Sequence, residues 1–354
     1  MNHRHPPEFA GRDAANLTPF LTSLLAGESL SEESASSAFE AIMTGEAHHA
    51  EMGALLALLA TRLPTTDELT GAARVMRDKV DSLETGFESN ELLDTAGTGG
   101  APKTFNVSTA AAIVAASSGA RVAKHGNRSR TGRGSAEVLE ALGVNVGAPR
   151  AVQKRCLQEI NVCFCFAIHH HPAAKHAMPV RKALGFPTLF NLLGPLTNPA
   201  SAGRQVMGVY DAAFIPVVAE TLARLGSIRA VVMHSEDGLD EFSLGAPSVV
   251  AQVDEGNITE YRIDPVELGL QSCPYEALQA RDLDHAVELV RNTLSGEERG
   301  PARDIVLLNA AAAIHASGLS DSIESGLPIA AQSIDFGDAG RTLERLIELS
   351  NIPE

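Results

Sequence analysis

Residues 92–97 read LLDTAG, and four segments of similar texture follow: STAAAIVAASSG at 108–119, RVAKHG at 121–126, SAEVLEALG at 135–143 and CFCFAI at 163–168. Short apolar runs of strand length alternate here with longer runs of helix length, and glycines stand at most of the junctions. This alternation predicts parallel strands connected by helices that pack on both faces of one sheet.

The alternation continues past residue 200, with RQVMGVY at 204–210, IPVVAETLARLG at 215–226 and RAVVMH at 229–234. The stretch 248–263 differs, because apolar and polar residues alternate around Asp254-Glu255-Gly256-Asn257. That pattern predicts an antiparallel hairpin. Beyond residue 284 the chain returns to helical periodicity.

Upstream of residue 91 the sequence shows helical periodicity alone, beginning with Leu17, Phe20, Leu21 and Leu24. We therefore expect a small all-helical N-terminal domain ahead of a larger α/β domain. The expected division is a disordered arm over 1–16, a helical domain over 17–85 joined by part of the proline-bearing stretch 175–200, and an α/β domain over 90–354.

Composition excludes several classes of protein. The chain has 354 residues and a formal net charge of −16, whereas general nucleic-acid binding needs clustered Lys and Arg. There is no Trp and no unbroken apolar stretch of about 18 residues, so neither a base-stacking surface nor a membrane span is expected. The N-terminus lacks the apolar core of a signal peptide and the four cysteines are too sparse for a disulfide scaffold, so we expect a cytoplasmic protein.

Residues 94–100, DTAGTGG, end the first of the strands in the alternating region and precede a helix predicted to start near Asn106 or Ser108. Glycines let the main chain approach a ligand closely, and the N–H groups at a helix N-terminus carry partial positive charge. A glycine loop alone is equally consistent with a tight turn. The hydroxyl and amide donors around the helix start favour an anion-binding site. These donors are Thr98, Thr104, Asn106, Ser108 and Thr109.

A second loop, KHGNRSRTGRGS at 124–135, follows the next predicted strand. Its lysine and three arginines lie within ten residues of an acidic chain. Such cations repel one another unless an anion lies among them. A solvated basic loop is the alternative, but the equivalent position at a strand end favours a second anion site.

A third loop, EDGLDE at 236–241, follows the strand RAVVMH. Carboxylates at the carboxyl end of a strand suit Mg²⁺, which takes one or two carboxylates together with phosphate oxygens. This loop therefore complements the two anion loops. In isolation, the same run would be interpreted as a solvated acidic turn.

The run His169-His170-His171 does not indicate zinc, because adjacent residues do not share one face and no cysteine or carboxylate stands at metal-ligand spacing. Arg181 is a candidate to hold a substrate carboxylate through its bidentate guanidinium. The alternative for Arg181 is a surface position on a helix.

Taken in order, GTGG…TFNVST, VAKHGNRS, GSAEVLEALGVNV, HHPAAKHAMPVRKALGFPTLFNLLGPLTNP and DGLDE resemble the motifs of the anthranilate phosphoribosyltransferase family of tryptophan biosynthesis. The likeness covers nearly the whole chain. It implies a homodimer that transfers the phosphoribosyl group of 5-phosphoribosyl-1-diphosphate (PRPP) to the amine of anthranilate. It also implies Mg²⁺ as cofactor, with up to two ions per subunit, and no general base, because the aromatic amine is already a neutral nucleophile.

Site residues follow from this resemblance and from the charges of the loops. The expected PRPP-binding residues are Gly97, Thr98, Gly99, Gly100, Thr104, Asn106, Val107, Ser108, Thr109, Lys124, Arg128, Ser129, Arg130, Arg133 and Ser135. The expected metal ligands are Ser108, Asp240 and Glu241, and the expected anthranilate-binding residues are Gly97, His125, Asn127 and Arg181.

The sequence departs from the family pattern in two loops. Ala101 stands where the family usually has Asp, and residues 130–133 replace a serine-rich stretch. Each loop is one residue shorter than usual. We expect Arg130 or Arg133 to take over part of a metal ion's role in holding diphosphate. Ala174 stands where the family often has a larger side chain, which leaves the shape of the acceptor pocket open.

Two other functions stay open at this point. A pyrimidine-nucleoside phosphorylase has the same architecture, and SRTGRGSAEVLEALG faintly resembles that group's glycine-rich loop. A non-catalytic PRPP-binding homologue is the second alternative, motivated by Ala101. The motifs KHGN, NLLGPLTNP and DGLDE favour the transferase over both.

Overall fold

The computed structural model describes residues 16–129 and 132–353. Apart from Asn16, the expected arm lies outside these residues, as do Arg130 and Thr131. Within the described residues, no helix combines the length and apolarity that a membrane crossing requires.

The N-terminal part of the chain is helical, as predicted. Its helices are α1 (Thr18–Leu25), α2 (Glu32–Met43), α3 (His49–Ala60) and α4 (Thr66–Asp78). Polar side chains fix the helix starts: Ser31 Oγ accepts the N–H of Ser34, and Thr65 forms a reciprocal capping box with Glu68. Helix α3 buries Leu55, Leu56 and Leu59 among its neighbours.

A mixed sheet forms the centre of the α/β part, and the described residues supply seven strands. They are β1 (Leu92–Asp94), β2 (Arg121–Gly126), β3 (Val162–Phe166), β4 (Arg204–Gly208), β5 (Arg229–Ser235), β6 (Ser248–Asp254) and β7 (Asn257–Ile263). The strand order is β3-β2-β1-β4-β5-β6-β7. Strands β1 to β5 pair in parallel, and β6 and β7 form the predicted antiparallel hairpin, with Glu255 and Gly256 at positive φ in its turn.

Helices cover both faces of this sheet, which confirms the predicted fold class. They are α5 (Val107–Ser117), α6 (Ser135–Leu142), α7 (Arg150–Ile160), α8 (Ala167–His170), α9 (Met178–Leu184), α10 (Leu189–Leu193), α11 (Ile215–Arg224), α12 (Leu283–Ser295), α13 (Pro301–Ser317), α14 (Ile323–Asp335) and α15 (Asp338–Ser350).

Two buried apolar clusters lie on opposite faces of the sheet. Strand β5 shows the alternation: Val231 and Met233 belong to the cluster with α5 and α13, whereas Ala230 and Val232 belong to the cluster with α1–α4. Val180 of α9 and Phe190 of α10 also join the second cluster. The stretch 175–200 therefore packs against the N-terminal helices.

Strand order also fixes where a ligand can bind. Strands β2 and β3 lie on one side of β1, and β4 and β5 lie on the other. Ligands bind in such α/β sheets at the carboxyl ends of strands where the order reverses. The three loops singled out from the sequence follow β1, β2 and β5, so all three meet at this edge.

Candidate active site

A cavity of about 990 Å³ opens at the carboxyl edge of the sheet, where the strand order reverses. The loops after β1, β2 and β5 line one side, and residues of α8, α9 and α10 line the other. The cavity therefore lies between the sheet and the helices of the 167–195 segment.

The glycine loop lines this cavity through residues 95–100. Gly99 and Gly100 adopt φ of 60° and 99°, a left-handed conformation that glycine tolerates and other residues disfavour. Thr98 N–H donates to the Gly208 carbonyl at 2.9 Å, which ties the loop to strand β4. Asn106 precedes α5 in a left-handed conformation, and its Nδ2 donates to the Arg133 carbonyl at 2.9 Å. The N-terminus of α5 therefore lies at the cavity and is hydrogen-bonded to the second loop.

Lys124 lies at the end of β2, and its side chain is only 4% exposed. Its Nζ donates to Thr95 Oγ1 at 3.1 Å and approaches Ser108 Oγ at 3.5 Å. Burial lowers the pKa of Lys124 to about 8. Its ammonium is thus held in one place beside the start of α5.

Asp240 and Glu241 form a half-buried acidic pair on the loop after β5. Glu241 Oε2 accepts the hydroxyl of Thr104 at 2.8 Å, and Glu241 Oε1 accepts the N–H of Ser108 at 3.2 Å. Burial raises the pKa of Asp240 to about 6. Burial and the neighbouring Asp240 raise the pKa of Glu241 to about 7. Burial thus disfavours the ionised forms of both carboxylates, which a bound cation would favour.

These groups fit a hard divalent cation. Two carboxylates and the Ser108 hydroxyl all line the cavity and supply oxygen donors. No cluster of three or more His, Cys, Asp or Glu residues suited to a metal occurs among residues 16–129 and 132–353. A cation at Asp240 and Glu241 must therefore complete its coordination with hydroxyl, water or phosphate oxygens.

The basic loop is less positively charged towards the cavity than its composition suggests. Arg128 pairs with Glu140 at 2.6 Å, and its guanidinium lies 5.6 Å from the Phe166 ring centroid. Arg128 therefore does not need a bound anion, because a carboxylate of α6 already compensates its charge. Arg133 lines the cavity but also donates to the Ala280 carbonyl. Arg130 lies outside the described residues.

Arg181 lies on α9, on the helical side of the cavity. It is half-buried, lines the cavity and stacks over Phe190 with its Cζ 4.9 Å from the ring centroid. Stacking on an aromatic face holds the planar guanidinium in one orientation. Arg181 is thus not a surface arginine on a helix, and Asn127 lines the same cavity.

His125 and His171 form a pair in the wall of the cavity, with their Nε2 atoms 3.1 Å apart. This separation is within hydrogen-bond distance, so one ring donates to the other. Burial lowers the pKa of His125, and burial lowers the pKa of His171 to about 4. Both rings are therefore neutral near pH 7.

The cavity brings together most of the residues predicted from the sequence. Val107 and Thr109 are exceptions, because Val107 is fully buried and Thr109 faces the apolar side of α5. Sequence reasoning missed six polar residues that line the cavity: Thr95, Lys103, His171, Lys175, Asn191 and Asn309. Thr95 and Lys103 lie inside the glycine-loop segment and could have been selected from it, whereas the position of Asn309 depends on tertiary packing.

Comparison with known proteins agrees with this architecture. The family model "Glycosyl transferase family, a/b domain" matches residues 89–340, and "Glycosyl transferase family, helical bundle domain" matches residues 18–80. A protein of Petrotoga mobilis named anthranilate phosphoribosyltransferase is 42% identical over 334 residues, which cover 94% of this chain and 96% of that protein. The chain belongs to the anthranilate phosphoribosyltransferase family.

Solved structures of family members superimpose closely. The Thermus thermophilus enzyme has a TM-score of 0.88 at 40% identity, covering 94% of this chain and 99% of that one. The Saccharomyces cerevisiae enzyme has been solved with PRPP and Mg, and with 4-fluoroanthranilate. Both yeast structures have a TM-score of 0.84 at 26% and 25% identity, covering 94% of this chain and 97% of theirs.

Proposed function

We propose that this chain transfers the phosphoribosyl group of PRPP to the amine of anthranilate, releasing diphosphate, in a Mg²⁺-dependent step of tryptophan biosynthesis. One observation carries the proposal: a single cavity contains the glycine loop, Lys124, the acidic pair and Arg181. The family relationship supports it, because the yeast relative has been solved with PRPP and Mg and with an anthranilate analogue.

The reaction breaks the bond between ribose C1 and diphosphate and forms a bond from C1 to the anthranilate nitrogen. Negative charge accumulates on the departing diphosphate. We assign its stabilisation to the start of α5, to Lys124 and to the hydroxyls of Thr104 and Ser108, which face one side of the cavity. Bound Mg²⁺ supplies further charge neutralisation to the diphosphate oxygens.

The acceptor end requires positioning and charge recognition. We assign the anthranilate carboxylate to the Arg181 guanidinium, whose orientation is fixed by Phe190. The neutral His125–His171 pair places no positive charge beside the attacking amine. That amine is a neutral nucleophile, so the proton it loses after attack can leave to water or diphosphate. Correct placement of the two substrates then supplies much of the rate.

The proposal extends to assembly, location and metal count. We infer a cytoplasmic homodimer that binds up to two Mg²⁺ ions per subunit. The N-terminal helical part exposes two large apolar side chains, Leu25 by 74% and Leu63 by 50%. Sedimentation of the full chain tests the oligomeric state.

Loss of anthranilate fluorescence tests the activity directly. With purified full-length protein, we expect the signal to fall only when PRPP and Mg²⁺ are both added. The double variant Asp240→Ala/Glu241→Ala should lose this reaction while keeping its fold. Phosphorolysis of thymidine or uridine without PRPP would instead identify a nucleoside phosphorylase. PRPP binding without turnover would identify a non-catalytic homologue.

A further inference from the structure

Thr95 directly follows strand β1 and lies beside Lys124 of β2. The parallel pairing of Leu93 with Val122, continued by two residues, places Thr95 opposite Lys124. Thr95 is 5% exposed, and it lines the cavity. A buried hydroxyl with no assigned role therefore lies next to the lysine that we assign to the departing diphosphate.

The Thr95 hydroxyl forms hydrogen bonds as donor and as acceptor. It donates to the Ser108 carbonyl in a long bond of 3.3 Å, and its Oγ1 accepts a hydrogen bond from Lys124 Nζ at 3.1 Å. A hydroxyl has one proton and two lone pairs, so the bond to Ser108 turns the lone pairs towards the ammonium. Thr95 thus connects the end of β1, the first turn of α5 and Lys124.

Lys124 has two further acceptors, and both are more distant. Its Nζ lies 3.4 Å from the Thr95 carbonyl oxygen and 3.5 Å from Ser108 Oγ, beyond the usual range of an N–H···O bond. All three acceptors are uncharged, so none of them neutralises the ammonium. A phosphate oxygen is a stronger acceptor and can replace the two long contacts, while the bond to Thr95 Oγ1 keeps Nζ in place.

We propose that Thr95 is a positioning residue for Lys124: its hydroxyl holds the ammonium at the start of α5, where it meets the departing diphosphate. This inference rests on the proposed function, because that reaction supplies the diphosphate. Thr95 acts through Lys124 without a bond to the substrate, and no covalent step occurs at either residue. Removing the hydroxyl should therefore weaken diphosphate binding only while Lys124 is present.

A double-mutant cycle with inorganic diphosphate as the probe tests this dependence. Thr95→Val keeps the shape of the side chain and removes the hydroxyl. Calorimetry at fixed Mg²⁺ should show diphosphate affinity weakened by about tenfold when Lys124 is present. In the Lys124→Met background, the same substitution should change the affinity by less than about twofold. Thr95→Ser restores the hydroxyl and should stay within about threefold of the wild type.

Steady-state kinetics give a second readout. In Thr95→Val, kcat/KM for PRPP should fall by about tenfold while the KM for anthranilate stays nearly unchanged. Thr221→Val on α11 is the matched control, because the Thr221 hydroxyl is buried and has no hydrogen-bond partner among the residues that the structure describes. This control should change neither readout. If Thr95→Val folds poorly, Thr95→Ala takes its place with the same expected signs.

The outcomes separate this inference from the proposed function. An equal loss of diphosphate affinity in both backgrounds, or no loss in either, overturns the positioning role, and normal turnover would leave the proposed function in place. If the wild type binds diphosphate but does not join PRPP to anthranilate, the proposed function fails, and the cycle still decides the role of Thr95. A wild type that binds no diphosphate would overturn both.

Discussion

Asn309 on α13 exchanges two hydrogen bonds with the main chain of Phe242. The Phe242 N–H donates to Asn309 Oδ1 at 3.0 Å, and Asn309 Nδ2 donates to the Phe242 carbonyl at 2.9 Å. Asn309 Nδ2 also donates to the Ile305 carbonyl at 2.9 Å, which fixes the amide orientation. Because Phe242 directly follows Glu241, one buried side chain holds the main chain beside the acidic pair in register.

Although Asn309 is not one of the expected metal ligands, replacing it by Leu should therefore weaken metal binding. The Phe242 N–H and carbonyl lose their partners, and we expect a loss of about 1–3 kcal/mol in unfolding free energy. Mn²⁺ affinity should fall by about tenfold, because the carboxylates are no longer held in position. Titration with Mn²⁺ and urea unfolding measure the two effects. Lost stability with unchanged Mn²⁺ affinity would refute the positioning role.

Arg181 gives a prediction about the acceptor alone. Arg181→Met removes the guanidinium but retains an unbranched side chain against Phe190. We expect the KM for anthranilate to rise by about tenfold or more, with the KM for PRPP nearly unchanged, because a charge-assisted contact to the carboxylate is lost. Steady-state kinetics measure both constants. Lys182→Met, on the exposed neighbour, is the matched control. An equal rise in both constants would place Arg181 outside the acceptor site.

The fold class follows from local features of the sequence. In the sequence, the β-strands appear as short apolar runs. Ser31 and Thr65 mark the starts of α2 and α4, because their side chains cap these helices. The functional loops could also be placed, because the carboxyl ends of parallel strands meet at one edge of the sheet. Each of these signals lies within a few residues of the structure it specifies.

Partner choice in the loops was not predictable in the same way. The pairing of Arg128 with Glu140 crosses from a loop to the next helix, so composition alone overstated the charge available to an anion. The bond between Asn309 and Phe242 joins residues 67 positions apart. Such contacts depend on how the helices pack against the sheet, and the hydrophobic periodicity of the sequence does not predict them.

Glu68 gives a stability prediction for the helical part of the chain. Glu68 is 1% exposed. Its carboxylate accepts hydrogen bonds from both terminal nitrogens of Arg62 at 2.8 and 2.6 Å, and one from the Leu30 N–H at 2.9 Å. Burial alone would raise the pKa of Glu68, but the bonds from Arg62, Leu30 and Thr65 outweigh it and lower that pKa. The contribution of Glu68 to folding stability is thus present above the ordinary glutamate pKa. It is lost as pH falls through the lowered pKa of the folded protein.

Glu68→Ala should therefore cost about 3 kcal/mol of unfolding free energy near neutral pH, because it leaves Arg62 and the Leu30 N–H without their acceptor. Urea unfolding followed by circular dichroism gives the difference. Glu33→Ala, at an exposed first-turn position of α2, should cost well below 1 kcal/mol and serves as the control. If both variants lose the same small amount, the buried ion pair does not stabilise the helices.

Asp94 should make stability fall as pH rises. It is 1% exposed at the end of β1, and its Oδ1 accepts the His125 N–H at 3.0 Å. Burial raises the pKa of Asp94 from 3.8 to about 6. Between these values the folded protein binds more protons than the unfolded chain, so this group's contribution to stability is full below the unfolded pKa. It is lost as pH rises through the folded pKa.

Asp94→Asn removes this titration while it keeps the oxygen that accepts the His125 N–H. Relative to wild type, we expect the variant to gain about 1–2 kcal/mol in unfolding free energy between pH ~5 and pH ~7.5. Urea unfolding of both proteins at the two pH values gives that difference. Asp78→Asn, at the end of α4, should show no comparable change and is the control. A constant gap between wild type and Asp94→Asn would mean that Asp94 is already ionised across this range, with Lys124 as the neighbouring cation that holds it so.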